Sequence, residues 1–594
     1  MRFLGLDGRT RWPGVGASFC CVLFCSVFVR AAAGQAIAVD GGEGEFAAPA
    51  GAWTTGESVT PATTPSEFRG FWADVFHAGL QNAAQVDEMI AEAVAGNYNA
   101  IVPEVLAFHD NQYGSHGAYW KSDIVARSSY VTTSFDPLAY IVQRAHANGL
   151  EVHPWLVAFR VSSTWPPPGN ATVAAHPEWL MVPRASMGSV ATVGSYYTFD
   201  PGSPGVQDYL MSIVRELCED YEIDGIHWDY IRYTDVDAGY PADLSYAHST
   251  LRRFQAITGY PGTPPTDYGP WNDFRRRTIT EVVRRAMFEI PIVANPRQPL
   301  RHTAALVTWY PANVNFHLTR PYYESFSDWE YWQSMGYLDA TIPMCYFDEN
   351  SYPSTYRAWV DNSVMWANNY NRHTYIGPGI YLNTFADSVT QIQYARAAGA
   401  HGICTYSYRS TNDAGQYWSN WYPYVATNVF TEAASVPTMP WRDPAAATAG
   451  AVFGRVTDGA TGAPIDDATI EVNGFAMVQT DGNGCYLVAN LSAGASGTIV
   501  PFSANYAGYS EVHRPAVLVE RAGFTEANFA LGTWLEGDYD VDGDVDLDDY
   551  DRFFECLTDP DGGPIGAGCD VFDFDTDADV DLRDFSVIQA SFTD

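Results

Sequence analysis

The stretch IDGIHWDYIRY, Ile223–Tyr233, holds the sharpest candidate chemistry in the chain. Side chains alternate along an extended strand, so His227 and Asp229 share one face while Ile226 and Trp228 take the other. Arg232, just beyond, can hold Asp229 ionised or bind a substrate oxygen. An ionised Asp among Trp and Tyr suits glycoside hydrolysis, which uses one carboxylate as nucleophile or base and a second, protonated carboxyl as acid.

A different chemistry is written at the C-terminus. Asp538, Asp540, Asp542, Asp544, Asp546 and Asp549 place oxygen donors at alternate positions around Gly543, the spacing of an EF-hand calcium loop. Asp573, Asp575, Asp577, Asp579, Asp581 and Asp584 repeat that register, with Ala578 where the turn glycine belongs. Each loop is followed by one short helical stretch, Tyr550–Leu557 and Phe585–Ala590. Calcium is therefore the expected cofactor here, and none is expected for catalysis. Cys556 and Cys569, 13 apart in this polar region, suit a disulfide in an oxidising compartment.

The composition limits the partners. Lys+Arg total 32 against 70 Asp+Glu, a formal charge of -38. A chain with one lysine, Lys121, has no basic face for nucleic acid or an anionic membrane surface. From Glu536 onward there are 20 acidic residues against Arg552 and Arg583, so nearly half the excess charge lies in the last tenth of the chain. At 47% hydrophobic the remainder can build large cores, and 594 residues call for two to four domains. The 18 Trp, 37 Tyr and 31 Phe exceed what cores need, so some line a binding cleft.

Arg2, Arg9 and Arg11, the apolar run Ala17–Val29 and Ala31–Ala33 read as a secretory signal peptide over 1–36, with an uncleaved anchor as the alternative. No other stretch is apolar enough to span a membrane, so the mature chain is expected to be exported, extracellular or surface-associated, without an integral membrane segment. Residues 37–66 form a Thr/Ala/Gly/Pro-rich linker. Over 67–432, eight short apolar runs alternate with amphipathic helices: Gly70–Val75, Ala100–Val105, Glu151–Leu156, Gly225–Tyr230, Pro291–Ala294, Ala340–Cys345, Tyr375–Gly379 and Gly402–Thr405. The fold class is α/β, a (β/α)8 TIM barrel. A second linker, 433–450, leads to an all-β sandwich over 451–532, and 536–594 is the small helical calcium domain.

Reacting groups of such barrels stand at the C-terminal ends of strands. That rule nominates Asp229, Asp348 and Glu104 as catalytic. Asp74, Asp110, His153, Trp155, His227, Arg232, Tyr346 and Tyr408 become substrate-binding candidates. No serine or cysteine nucleophile motif occurs.

The stretches FRGFWADVF, GLEVHPWLVAFR, FDPGSPGVQDYLMSIVRELCEDYEIDGIHWDYIRY, YLDATIPMCYF, YIGPGIYLN and GICTYSYRS resemble the glycosyl hydrolase-like 10 family. The resemblance implies a (β/α)8 glycosidase with its nucleophile on strand 4, here Asp229. It also implies an acid on strand 5, where PIVANPR offers no carboxylate. Asp348 is ranked first as the acid, Glu104 second and Asp110 third. GRVTDGATGAPIDDATIEV with DGNGCYLV resembles a carboxypeptidase regulatory-like domain, and the paired loops resemble a type I dockerin, which implies a cohesin-like partner on a scaffold or cell surface. The expected activity is hydrolysis of O-glycosidic bonds in a polysaccharide, with peptidoglycan strands and plant or algal polysaccharide as the competing substrates. The alternatives are a non-catalytic glycan-binding or surface-assembly protein and another hydrolase class on the same barrel.

Overall fold

The computed structural model describes residues 65–293, 299–532, 537, 539, 545–558, 565–566, 569, 572–575 and 577–592. The expected signal peptide, the linker up to residue 64, and Asp538, Asp540, Asp542 and Asp544 lie outside the described residues. Among the described residues no helix is long and apolar enough to cross a membrane.

Eight parallel strands close into a barrel: β1 Phe68–Ala73, β2 Ala100–Leu106, β3 in two pieces, Glu151–Val152 and Trp155–Val157, β4 Gly225–Asp229, β5 Arg301–Val307, β6 Ala340–Cys345, β7 His373–Pro378 and β8 Gly402–Tyr406. Pairing of β1 with both β8 and β2 completes the ring. Alternate residues point inward and fill it: Trp72, Val102, Trp155, Ala305, Ile342, Tyr375 and Cys404 form one buried cluster. The outward residues meet the surrounding helices. In α1, Ala83–Ala95, the stripe Val86, Met89, Ile90 and Ala93 is buried, and Asn82 caps the helix by accepting from the Gln85 N–H.

One strand lies elsewhere than its sequence pattern indicates. Pro291–Val293 is the last turn of a long helix, α2, Gly269–Val293, and the fifth strand is Arg301–Val307. A short apolar run cannot by itself distinguish a strand from the tail of a buried helix. The true β5 hides behind a polar start, because Arg301 sits at the barrel floor with its Nε 3.2 Å from Glu151.

Beyond the barrel, the strands between Ala449 and Leu531 form two four-stranded sheets that share one apolar core, with Val452, Tyr486 and Val488 from one sheet and Ile470, Phe502 and Val519 from the other. This β unit is welded to the barrel. Phe288 stacks on Phe453 at 5.1 Å. Arg253 grips Glu281 through both Nη atoms at 2.9 Å and reaches Asp466 of the β unit at 2.6 Å, while Arg277 bonds Glu281 at 3.0 Å. Burial alone would raise the Glu281 carboxyl, but Arg253 and then Arg277 overcome it and hold it down at about 2. The pair's contribution is thus present above the unfolded value of about 4 and fades as pH falls toward 2. Glu281→Ala removes the carboxylate that Arg253 and Arg277 share but leaves them Asp466 and Asp467, and is expected to cost about 1–3 kcal/mol, seen as a lower urea midpoint.

At the C-terminus, α3, Leu547–Cys556, and α4, Leu582–Ser591, pack through Val545, Phe553, Phe572, Val580 and Ile588. Cys556 and Cys569 are disulfide-bonded, while Cys218, Cys345, Cys404 and Cys485 are buried free thiols.

Candidate active site

Register sets which side chains meet at the barrel mouth. Glu104 pairs with Trp155, Trp155 with His227, and Val157 with Asp229, so Asp229 stands two residues above the layer that holds Glu104 and Trp155. Asp74 follows Ala73, which pairs with Pro103, and therefore lies beside Glu104. Three carboxylates from β1, β2 and β4 converge, each at most 6% exposed.

Their environments differ. Asp74 Oδ1 accepts from the Phe76 and His77 N–H groups and lies 2.8 Å from His77 Nδ1, while its Oδ2 accepts from the Ser407 hydroxyl at 3.3 Å. Both oxygens are committed, and the hydrogen bond to Asp74 raises the His77 imidazole above its ordinary value. Asp229 Oδ1 accepts from the Tyr230 N–H at 2.6 Å and from Arg232 Nη1 at 3.3 Å. Glu104 has one backbone donor, Val75 N–H at 3.1 Å. Burial, then the charge of Asp74 and that of Asp229, push its carboxyl well above the usual range against that single bond. The mouth thus sets a buried carboxyl raised by its surroundings beside a carboxyl bonded to an arginine.

Aromatic groups close the rest. Tyr346 and Tyr406 stack at 5.3 Å, with Trp72 and Tyr381 set edge-on to both. Burial and then Asp74, Glu104 and Asp229 raise the Tyr406 phenol, so it remains a donor among the carboxylates. The Trp155 indole N–H is buried with no protein acceptor, a donor left over for a ligand. Tyr230, at φ 49°, is sandwiched between guanidinium groups, Arg160 at 3.4 Å and Arg232 at 4.1 Å from its ring centre. The left-handed region costs a residue such as Tyr about 1–2 kcal/mol. It places the ring directly after Asp229 and brings a second cation, Arg160, to the carboxylates.

Not every nominated residue reaches this mouth. His227 shares the face of Asp229 and, paired with Trp155, lies in the layer of Glu104, fully buried. Its Nε2 accepts from Trp72 Nε1 at 2.9 Å and its Nδ1 meets Thr303 Oγ1 at 2.9 Å, so it braces the barrel interior. Burial, then the neighbouring His153 and His302, keep it neutral. His153 stands near the barrel floor, with Nε2 3.0 Å from Glu151. Asp110 is fully buried and bonded to His116 and Ser162 in the loop after β2. Tyr408 comes after the end of β8 and stacks on Phe71, outside the barrel. Its place at the mouth is taken by Tyr406. Asp348 Oδ1 accepts the Ser351 N–H at 2.7 Å, ahead of the helix Pro353–Tyr370, and no described hydrogen bond or ion pair joins it to Asp229 or Arg232. The true β5 is followed by Thr308 and Trp309, so strand 5 still offers no carboxylate, and the carboxyl whose pKa is raised by Asp74 and Asp229 is Glu104.

Arg160, Tyr230, His77 and Ser407 are the mouth residues that pattern reading passes over. Arg160 opens a short strand, Arg160–Ser162, of a separate four-stranded sheet built from the loops after β3 and β4. Nothing local marks such an excursion as part of the site.

The glycosyl hydrolase DigH of Escherichia coli (strain K12) is 26% identical over 245 residues, 39% of this chain and 52% of that protein. The glycosyl hydrolase YngK of Bacillus subtilis (strain 168) is 24% identical over 371 residues, 58% of this chain and 66% of that protein. The chain thus spans about half the length of the first relative and just under two thirds of the second. Among solved structures, the glycoside hydrolase domain of PgaB (BpsB) from Bordetella bronchiseptica aligns at TM-score 0.43 and 12% identity, covering 63% of this chain and 100% of that one. Residues 67–394, more than half of the sequence, match the glycosyl hydrolase-like 10 family along β1 to β7, and the chain belongs to that family.

Proposed function

We propose that the chain is an exported glycoside hydrolase that cleaves O-glycosidic bonds within a polysaccharide, with Asp229 as nucleophile or base and Glu104 as general acid. The observation that carries this reading is the contrast between Glu104, buried with one donor, and Asp229, paired with Arg232, in one aromatic-walled mouth. In the proposed acid step Glu104 gives its proton to the glycosidic oxygen as that oxygen's bond to the anomeric carbon breaks. Asp229 either bonds to that carbon, to be displaced by a water whose proton returns to Glu104, or takes the proton of a water that attacks the carbon directly. Asp74, with both oxygens occupied, holds the β1 loop in place, and the Trp155 N–H and Tyr406 O–H are free to meet sugar hydroxyls.

The deciding experiment incubates the full chain with a glycan panel that includes peptide-free peptidoglycan strands and plant and algal polysaccharides, and follows new reducing ends. Release from one class supports the proposal and names the substrate. Retention of a glycan without any release replaces it with the glycan-binding reading, which the missing strand-5 carboxylate favours.

The C-terminal loops are proposed to bind calcium and to attach the enzyme to a cohesin-like partner. Carboxylate oxygens of Asp573, Asp575 and Asp577 cluster together, as do those of Asp579, Asp581 and Asp584, and such an all-oxygen set fits a hard cation. Ala578 has φ 75°, the left-handed conformation that the turn position of this loop demands. Ala578→Gly removes a penalty of about 1–2 kcal/mol and is expected to tighten calcium binding up to about tenfold, measured by titration calorimetry. Unchanged affinity would show that the second loop does not close on the ion.

A further inference from the structure

Among the described residues, buried arginines are held by carboxylates: Arg69 by Glu67 at 2.6 Å, Arg285 by Glu289 at 2.6 Å, Arg301 by Glu151 at 3.2 Å and Arg442 by Asp339 at 3.0 Å. Two have no acidic partner within 4 Å, Arg275 and Arg372. Arg275 is caged instead, donating through Nη1 and Nη2 to the carbonyls of Val236, Ala238 and Thr266 and to the Asn272 side chain, with only its Nε left without an acceptor. Arg372 is not. It is 7% exposed, and its donors find two acceptors, Asn371 O and Asn490 Oδ1, each at 2.9 Å, while its buried Nε has none. Asp339 does not relieve it, because the Asp339 oxygens are taken by Arg442, Trp441 Nε1 and the His302 N–H.

This guanidinium borders a cavity of about 350 Å³ in the seam between the barrel and the β unit. Tyr370 and Arg372 come from the barrel side, Trp441 from the connecting segment, and Asn490 and Phe524 from the β unit. The Trp441 ring centre lies 4.8 Å from the guanidinium carbon. Burial pulls the Arg372 pKa down to about 10, still charged at neutral pH. A buried cation with an unmet donor beside an open cavity is costly unless an anion completes it. A guanidinium edge presents parallel N–H groups that match the two oxygens of a carboxylate. The aromatic walls and a volume at the lower end of small-ligand sites fit a single ring with an apolar face.

We propose that the seam cavity is a binding site for a small carboxylate-bearing sugar of the hexuronic acid class, with Arg372 taking the carboxylate through the N–H groups that Asn371 O and Asn490 Oδ1 leave over on Nη1 and Nη2. The site is separate from the barrel mouth and does not depend on the hydrolase reading. Titration calorimetry and thermal melting of the full chain with glucuronate, glucose and inorganic phosphate test it. Glucuronate binding with a raised melting temperature, and at least tenfold weaker binding of glucose and phosphate, is the expected result. Arg372→Gln should lose glucuronate binding at least tenfold. Should that variant fail to fold, Asn490→Asp supplies the missing carboxylate from within, and is expected to raise the melting temperature while abolishing glucuronate binding. No glucuronate binding to the wild-type chain, equal binding of glucose or phosphate, or undiminished binding by Asn490→Asp would overturn the proposal.

Discussion

Asp229→Asn is expected to lower glycan cleavage on the order of a thousandfold or more, because the variant keeps the shape of the mouth but loses the negative charge that meets the anomeric centre. The substitution retains an oxygen that can accept the Tyr230 N–H, so the backbone turn after β4 should persist. Arg232 loses its ionic partner but keeps its contact with the Tyr230 ring, 4.1 Å away. The measurement is initial rate on whichever glycan the wild type cleaves, with a thermal melt on the same preparation. Turnover within about tenfold of wild type in a folded variant would remove Asp229 from the chemistry.

The second large effect belongs to Glu104. Burial and then the charges of Asp74 and Asp229 raise its carboxyl, so the acid form is the working form and the rate should fall as pH rises through its folded value. Glu104→Gln is expected to cost about 10²–10⁴-fold on a natural glycan and to erase that alkaline limb. The loss should be far smaller on an aryl glycoside whose leaving group needs no proton, a split that a purely structural role would not produce. Stability gives an independent sign. A carboxyl raised in the folded state favours folding below its unfolded value, and that advantage is lost as pH rises through the folded value. The Gln variant, which never ionises, should therefore melt higher than wild type at alkaline pH. A Gln variant that keeps the wild-type pH profile would return the acid role to another group, and Asp348 would be the first to re-examine.

Two cases show why local pattern reading stops where it does. The alternation in IDGIHWDYIRY puts His227 and Asp229 on one inward face, and both do face inward. Height separates them: His227 is spent on Trp72 and Thr303 in the layer of Glu104 and Trp155, and Asp229 stands two residues above it. Alternation encodes direction but not height along the barrel axis, which register with neighbouring strands sets. For β5, the apolar run at Pro291 completes a helix, and the strand begins with Arg301, whose polarity is explained only by Glu151 on the barrel floor.

The sequence by itself determined the β/α alternation, the strand-4 carboxylate with its arginine, and the doubled acidic register at the C-terminus, because each is a periodic or closely spaced signal carried by neighbouring residues. Only the tertiary structure brings Glu104 beside Asp74 and Asp229, since Glu104 is 125 positions from Asp229 and its raised pKa arises from burial next to those two carboxyls. It also put Tyr406 rather than Tyr408 among the mouth carboxyls, and Arg160, just after β3, over the Tyr230 ring. Charge, burial and facing direction are properties of groups brought together through space, and no window of consecutive residues contains them.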